Sequence, residues 1–175
     1  MKNRSKNSSD ERASRVNMAS EFFVASECYR RGWIPSVVIG NAKCCDLHVS
    51  FGNRDPKIIE VKAKSVKNGS WSMDKPKAGL KNTIYVLVDY RGQFENHIER
   101  PKATKLPKHW RPKCYIIPSR EIRKHWDSKA SYNGGIRLSK IRHIKKYHEK
   151  WSNIFADGLE DGPPPVSRSA RKAQF

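Results

Sequence analysis

Apolar residues recur at intervals of three and four between residues 14 and 31, which predicts an amphipathic helix over that range. Gly32 can end the helix as a C-cap, and Pro35 prevents its continuation. Residues 1–13 are polar and charged, so we expect them to form a disordered basic leader. The side chains predicted to face the core are Met18, Phe22, Ala25 and Tyr29, flanked by Ala19 and Phe23.

Alternating apolar and polar residues after the helix predict β-strands. Residues 45–51 alternate with Asp46 on the polar face, and residues 57–64 alternate in the same way. Residues 52–56 contain Gly, Asn, Asp and Pro, which favour a turn between these two strands. Residues 84–90 are almost entirely apolar, as is typical of a central strand buried on both faces. Further strands are predicted over residues 33–39 and 114–118, and helices over residues 119–128 and 139–155.

The order of these elements predicts one α/β domain over residues 14–158, built on a mixed β-sheet flanked by helices. A chain of 175 residues is long enough for one domain to bury a hydrophobic core. Residues 65–82 and 91–112 are predicted to be irregular. Residues 159–175 combine three prolines with polar and basic side chains, which predicts a disordered tail.

The chain carries 36 Lys and Arg against 17 acidic residues, a net charge of +19. Such an excess concentrates polyanions around the protein, so DNA is the expected partner, with RNA left open. An anionic membrane surface is the rival partner, but no apolar stretch is long enough to span a bilayer. The polar N-terminus also lacks the apolar segment of a signal peptide, so we expect a cytoplasmic protein with no membrane partner.

Residues 96–150 hold 16 of the basic residues and only four acids, and therefore carry +12 of the net charge. Solvated lysines are common on protein surfaces, but this imbalance favours a surface that follows a phosphate backbone. Phosphate contacts carry no base information, so no recognition sequence follows from them. The residues predicted to contact nucleic acid are Lys64, Arg137, Lys140, Arg142, Lys145 and Lys146.

The four cysteines and six histidines do not show the spacing of a disulfide framework or of a zinc site. Cys44 and Cys45 are adjacent, so in a strand their side chains point to opposite faces and cannot comfortably share one ion. Free thiols in a reducing compartment are the better interpretation.

Asp46 and Glu60 each lie seven residues from Asn53, the middle of the predicted turn. A hairpin that turns symmetrically there makes them direct cross-strand neighbours, and Lys62 shares their face. Two carboxylates this close repel unless a cation or a proton lies between them. Mg²⁺, or Mn²⁺ in its place, would relieve the repulsion, with the backbone carbonyl of Val61 as a further ligand. The arrangement suits phosphodiester hydrolysis, with Lys62 stabilising the transition state or orienting the attacking water.

Asp46, followed by thirteen residues and then by Glu60, Val61 and Lys62, resembles the D…(D/E)xK signature of the PD-(D/E)XK nuclease superfamily. Cys45 stands where that signature has a proline. The segment ASEFFVASECYRRGW is similar to the superfamily's opening helix, in which a glutamate near the helix start often reaches the metal site. Glu21 has that position.

The resemblance implies a small restriction-endonuclease-like or Holliday-junction-resolvase-like nuclease with an α-β-β-β-(α)-β core. It implies that Asp46, Glu60 and Glu21 bind Mg²⁺ and that Lys62 is catalytic, in an endonuclease that cuts DNA. Many members dimerise so that two sites cut two strands, so a homodimer is one assembly to expect.

Other interpretations of these residues stay open. Asp46, Glu60 and Lys62 are also compatible with an ordinary solvated strand face, and Glu21 with a plain surface position. The protein could bind nucleic acid without cutting it while keeping the nuclease fold, or be a basic structural protein in which these side chains lie apart. Trp71 is as compatible with packing in the core as with stacking on a base.

Overall fold

The computed structural model describes residues 3–39, 45–65, 69–76, 82–90 and 111–156. Within these ranges, five strands form a mixed sheet and three short strands form a second sheet. The strands of the first sheet are Ile34–Val37 (β1), Leu47–Ser50 (β2), Lys57–Lys64 (β3), Thr83–Asp89 (β5) and Lys113–Pro118 (β6). Those of the second sheet are Ser70–Ser72 (β4), Trp126–Asp127 (β7) and Gly135–Arg137 (β8).

The strand order of the first sheet is β1-β2-β3-β5-β6. The first three strands form an antiparallel meander, β5 lies parallel to β3, and β6 is antiparallel to β5. Every residue of β5 is buried, as its apolar sequence predicts for a central strand. The prediction of an α/β fold with a mixed sheet is therefore confirmed.

Helix α1 spans Asn3–Tyr29 and packs on β1 and β3. It begins at Asn3 rather than at residue 14, because neither glycine nor proline interrupts this stretch. Residues 3–13 are therefore helical rather than a disordered leader. Within the described part of the chain, neither α1 nor any other helix is long and apolar enough to cross a membrane.

The buried face of α1 differs from the predicted one. Met18 and Phe22 are 51% and 52% exposed, and Tyr29 is 61% exposed, so the prediction that they face the core is wrong. Ser20 explains the error in helix phase: its hydroxyl donates to the carbonyl of Val16 at 2.6 Å, so this polar residue can be buried. The α1 side chains that enter the core are Val16, Val24, Ala25 and Cys28.

The chain after β6 forms short helical turns where two longer helices are predicted. The observed helices are Ser119–Ile122 (α2) and Leu138–Ile141 (α3) and the 3₁₀ helices Arg123–His125 and Trp151–Phe155, in place of helices over 119–128 and 139–155. Part of this segment instead lies along the open edge of β6. The N–H of Ile116 donates to the carbonyl of Tyr147, and the N–H of Glu149 donates to the carbonyl of Cys114, both at 2.9 Å. Pairing with a strand edge thus prevails over the helical pattern.

Strand β5 separates two hydrophobic cores, and its alternate side chains enter one core or the other. Val86 and Val88 join the core that α1 covers, and Leu87 joins the core that the second sheet covers. Trp71 of β4 is fully buried in this second core, where its indole N–H donates to the carbonyl of Val88 at 2.9 Å. Packing in the core is therefore the correct interpretation of Trp71.

Lys64 ends β3 inside the protein rather than on its surface. Its side chain is 2% exposed, and its Nζ lies 2.8 Å from Oδ1 of Asp89, which is 4% exposed. The same ammonium lies 5.2 Å from the centre of the Trp71 ring. The sequence places Lys64 among the residues that contact nucleic acid, whereas in the structure its side chain is buried in this ion pair beneath the second sheet.

Replacing Lys64 with methionine removes the cation that neutralises the buried carboxylate of Asp89. Loss of one partner of a buried ion pair costs about 3–5 kcal/mol, so we expect Lys64→Met to lower the free energy of unfolding by that amount. Urea denaturation followed by tryptophan fluorescence measures the change. Lys150 is exposed, so Lys150→Met is the control and should change the free energy by less than about 0.5 kcal/mol. Equal denaturation midpoints for the two variants would show that the pair does not stabilise the sheet.

Candidate active site

Asp46 and Glu60 are brought together by the pairing of β2 with β3. Leu47 pairs with Ile59, a register that turns about Asn53 as predicted. The backbone N–H of Asp46 donates to the carbonyl of Ile59 at 3.2 Å. Its Oδ2 accepts a hydrogen bond of 2.6 Å from the backbone N–H of Val61. The Asp46 carboxylate is thus fixed against β3, next to Glu60.

Lys62 supplies a positive charge to both carboxylates. Its Nζ lies 3.1 Å from Oε2 of Glu60 and 3.8 Å from Oδ2 of Asp46. The side chains of Lys62, Asp46 and Glu60 are 30%, 25% and 22% exposed, so they are partly shielded from water yet open to a ligand. The structure therefore brings together the two acids and the lysine that the strand alternation places on one face.

Glu21 approaches the same cluster from α1. Burial raises the pKa of its carboxyl, the negative charge of Asp46 raises it further, and the positive charge of Lys62 acts in the opposite direction. Glu21 lines the same two grooves as Asp46 and Lys62, so it lies beside the pair although it belongs to another element. A plain surface position does not describe this residue.

Val61 directs its side chain into the core and its backbone towards the site. The side chain belongs to the core that α1 covers, and the N–H points to Asp46. In an extended strand, the N–H and C=O of one residue point to the same side. The carbonyl of Val61 therefore also faces this side, beyond the pairing of Leu47 with Ile59.

The donor atoms gathered here are hard oxygens. Within the described residues, no group of three or more His, Cys, Asp or Glu side chains is arranged to hold a metal ion. Asp46 and Glu60, with the carbonyl of Val61, nevertheless fit Mg²⁺ in kind, since this ion takes one or two carboxylates and keeps several waters. In the structure, Lys62 provides the positive charge between the two carboxylates.

Two grooves meet at these residues. The first, which we name the apolar groove, has a volume of about 490 Å³. Its apolar lining residues include Met18, Phe22, Val37, Val38 and Ile39. The second, which we name the polar groove, has a volume of about 710 Å³ and extends to the second sheet. Its hydroxyl and amide groups include those of Ser65, Ser70, Ser72 and Asn133. The candidate site lies at the junction, because both grooves are lined by Asn17, Glu21, Asp46 and Lys62.

Asn17 and the serines of β4 are lining residues that the sequence did not reveal. Asn17 lies one helical turn before Glu21, so helical spacing could have found it once Glu21 was placed at the site. Ser70 and Ser72 belong to a strand of three residues within a stretch predicted to be irregular. A strand that short leaves no periodic signal.

Several basic residues predicted to contact nucleic acid share acidic partners. Nε of Arg137 lies 2.8 Å and Nζ of Lys140 lies 3.6 Å from the same oxygen of Asp127. Lys146 lies 3.3 Å from Glu121, which Lys124 also contacts. Each acid therefore neutralises only part of the charge around it, and the surface stays positive.

Arg142 and Lys145 are exposed on the same part of the chain. Arg142 and Arg137 line a third groove, of about 290 Å³, together with Ser70 and Ser139. Ser70 also lines the polar groove. The polar groove and the third groove therefore share Ser70 as a lining residue.

No protein-family model matches the chain, and neither a curated protein nor a solved structure does. The resemblance to PD-(D/E)XK nucleases therefore rests on the motif residues alone. What the site can do follows from Asp46, Glu60 and Lys62 and from the grooves that meet there.

Proposed function

We propose that the protein is a Mg²⁺-dependent endonuclease of the PD-(D/E)XK type that hydrolyses phosphodiester bonds in DNA. The observation that carries this proposal is the position of the Lys62 ammonium, within reach of both Asp46 and Glu60. An ordinary solvated strand face would not bring two acids together beside a third, Glu21, at the junction of two grooves. Mn²⁺ would serve in the same place as Mg²⁺.

The order of elements supports the proposal. The resemblance implies an opening helix, three strands and then, after a helix that can be absent, a further strand of a mixed sheet. Helix α1, strands β1 to β3 and strand β5 have this order. The described part of the connection between β3 and β5 carries β4 rather than a helix.

Each side chain of the site has a role in such a reaction. The hydrogen bond from Val61 preorganises Asp46, which with Glu60 and the Val61 carbonyl would hold the metal. Bound Mg²⁺ would supply a polarised phosphoryl oxygen and a more acidic water. Lys62 donates to the oxygen on which negative charge develops, or orients the attacking water. Glu21 assists from α1, where it lines both grooves beside Asp46 and Lys62.

The charge distribution supports a polyanionic substrate. The net charge of +19 favours encounter with nucleic acid. The lining from the site through Ser70 to Arg137 and Arg142 gives a phosphate backbone a path across the second sheet. RNA shares this backbone and is therefore the second substrate to test.

A second candidate function is nucleic-acid binding without cleavage. The observation that favours it is that the Lys62 ammonium lies within reach of both carboxylates, so that a side chain balances part of their negative charge. Such a protein would bind DNA with strong salt dependence and leave it intact.

Glu60→Gln and Lys62→Met should each reduce cleavage by about 10²–10³-fold, the loss typical of removing one group that stabilises transition-state charge. The assay incubates plasmid, branched DNA and RNA with the protein in Mg²⁺, Mn²⁺ or EDTA. Glu11 lies on an exposed part of α1 and contacts Arg15, so Glu11→Gln is a control with the same charge change and should keep full activity. Cleavage that survives both site substitutions would place the chemistry elsewhere, and intact products throughout would favour the binding protein.

Lys62→Met should also increase the affinity for Mg²⁺ severalfold, although it reduces cleavage. The ammonium and a divalent ion attract the same two carboxylates, so removing the ammonium leaves more negative charge for the metal. Isothermal titration calorimetry with MgCl₂ measures the change. Lys62→Arg retains the positive charge and should keep the affinity of the unmodified protein. A weaker or unchanged affinity in Lys62→Met would show that the metal does not bind between Asp46 and Glu60.

Arg142→Gln should weaken DNA binding and reduce the salt dependence by about one counterion, as expected for the loss of one phosphate contact. Fluorescence anisotropy with a labelled duplex, at several salt concentrations, measures both quantities. Arg30 is exposed and pairs with Glu27 near the C-terminal end of α1, so Arg30→Gln is the matched control. If Arg142→Gln and Arg30→Gln reduce the salt dependence of binding equally, the effect comes from net charge rather than from a contact at Arg142.

A further inference from the structure

Helix α1 presents apolar side chains to solvent beside the candidate site. Met18 and Phe22 are half exposed, and Ile39, which follows β1, is 78% exposed. On α1, positions 14, 17, 18, 21 and 22 follow helical spacing and therefore share one face. All five line the apolar groove, so Met18 and Phe22 stand on the same face as Glu21.

The two grooves that meet at Lys62 differ in chemistry. The polar groove carries hydroxyl and amide groups on β4 and at Asn133, which suit sugar and phosphate. The apolar groove adds Val37 and Val38 to Met18, Phe22 and Ile39. A strand of nucleic acid has the same two chemistries, a polar backbone and bases with apolar faces.

Inside a continuous duplex, the faces of each base are covered by its neighbours. Such a base offers nothing to an apolar wall, whereas an unstacked base exposes both faces and stacks readily on an aromatic ring. The volume of about 490 Å³ lies within the range of small-molecule pockets. The groove also includes Glu60 and Lys62, so its occupant would be attached to the phosphate at the site.

We propose that the apolar groove binds one unstacked nucleobase next to the phosphodiester at the candidate site, with Phe22 as its stacking partner and Met18 and Ile39 as its walls. This proposal rests on the proposed function for the position of the phosphate. It defines the substrate as a strand with an unpaired nucleotide at the point of cleavage.

A second copy of the chain is the rival occupant of this surface. Two copies that each carry a net charge of +19 repel one another, whereas a polyanion is attracted to the same surface. The net charge of the protein and the position of the groove beside the candidate site therefore favour a nucleobase over a second copy of the chain.

The test compares two DNA hairpins that differ at one position. In one hairpin a 2-aminopurine is bulged, and in the other it is paired. Binding is measured in EDTA by anisotropy and by 2-aminopurine fluorescence. The unmodified protein should bind the bulged hairpin about tenfold more tightly and quench its fluorescence, in the range expected for one base–aromatic stack.

The variants separate stacking from other effects. Phe22→Ala and Met18→Ala should reduce the preference for the bulged hairpin, and Phe22→Tyr should retain it. Ile34 is 62% exposed and does not line the groove, so Ile34→Ala is the control and should keep the full preference. Circular dichroism verifies that each variant is folded.

An unchanged preference in Phe22→Ala overturns the proposal. A change in the sedimentation of Phe22→Ala with no change in its preference for the bulged hairpin also overturns the proposal, and would assign the surface to a second copy. A preference for the bulged hairpin in EDTA, without cleavage in Mg²⁺, would support this site and reject the nuclease. Cleavage without base preference would reject this site and leave the nuclease in place.

Discussion

The pairing of β2 with β3 determines which side chains can meet at the junction of the two grooves. Side chains alternate along a strand, so a slip of one residue would turn Glu60 and Lys62 towards the core. Such a slip would also expose buried aliphatic side chains, and its cost therefore fixes the register. The side chains that oppose it are Leu47, Val49, Ile59 and Val61. Apolar burial thus positions a charged cluster that would repel itself without Lys62.

Two lysines on β3 show how burial changes the energetics of an ion pair. Lys64 is buried against the carboxylate of Asp89, and breaking a buried pair of this kind strongly destabilises the folded protein. Lys62 is partly exposed and shared between two carboxylates at 3.1 Å and 3.8 Å. The pairs of Lys62 are less deeply buried than the Lys64–Asp89 pair, so breaking them costs less free energy. One strand therefore contains two ion-paired lysines that differ in burial.

Local periodicity predicted the parts of the fold that are determined by neighbours in sequence. The turn about Asn53, the alternation of β3 and the buried β5 all follow from it. The approach of Asp46 to Glu60 follows as well, because hairpin geometry relates their positions. The two errors have different causes. Ser20 is buried because a local hydrogen bond within the helix satisfies its hydroxyl. Lys64 is buried because it pairs with Asp89, which is distant in sequence, under a sheet that was not predicted.

Both outer strands of the five-stranded sheet have contacts along part of their outer edges within the described residues. Along β6, the backbone of Tyr147 and Glu149 forms hydrogen bonds with the strand. On β1, Pro35 has no N–H, and its carbonyl accepts a bond from the Tyr29 hydroxyl at 3.4 Å. A long polyanion would gather many copies of so basic a protein, and crowded proteins with bare strand edges tend to aggregate. Contacts of this kind at the outer strands limit strand-to-strand pairing between neighbouring copies of the protein.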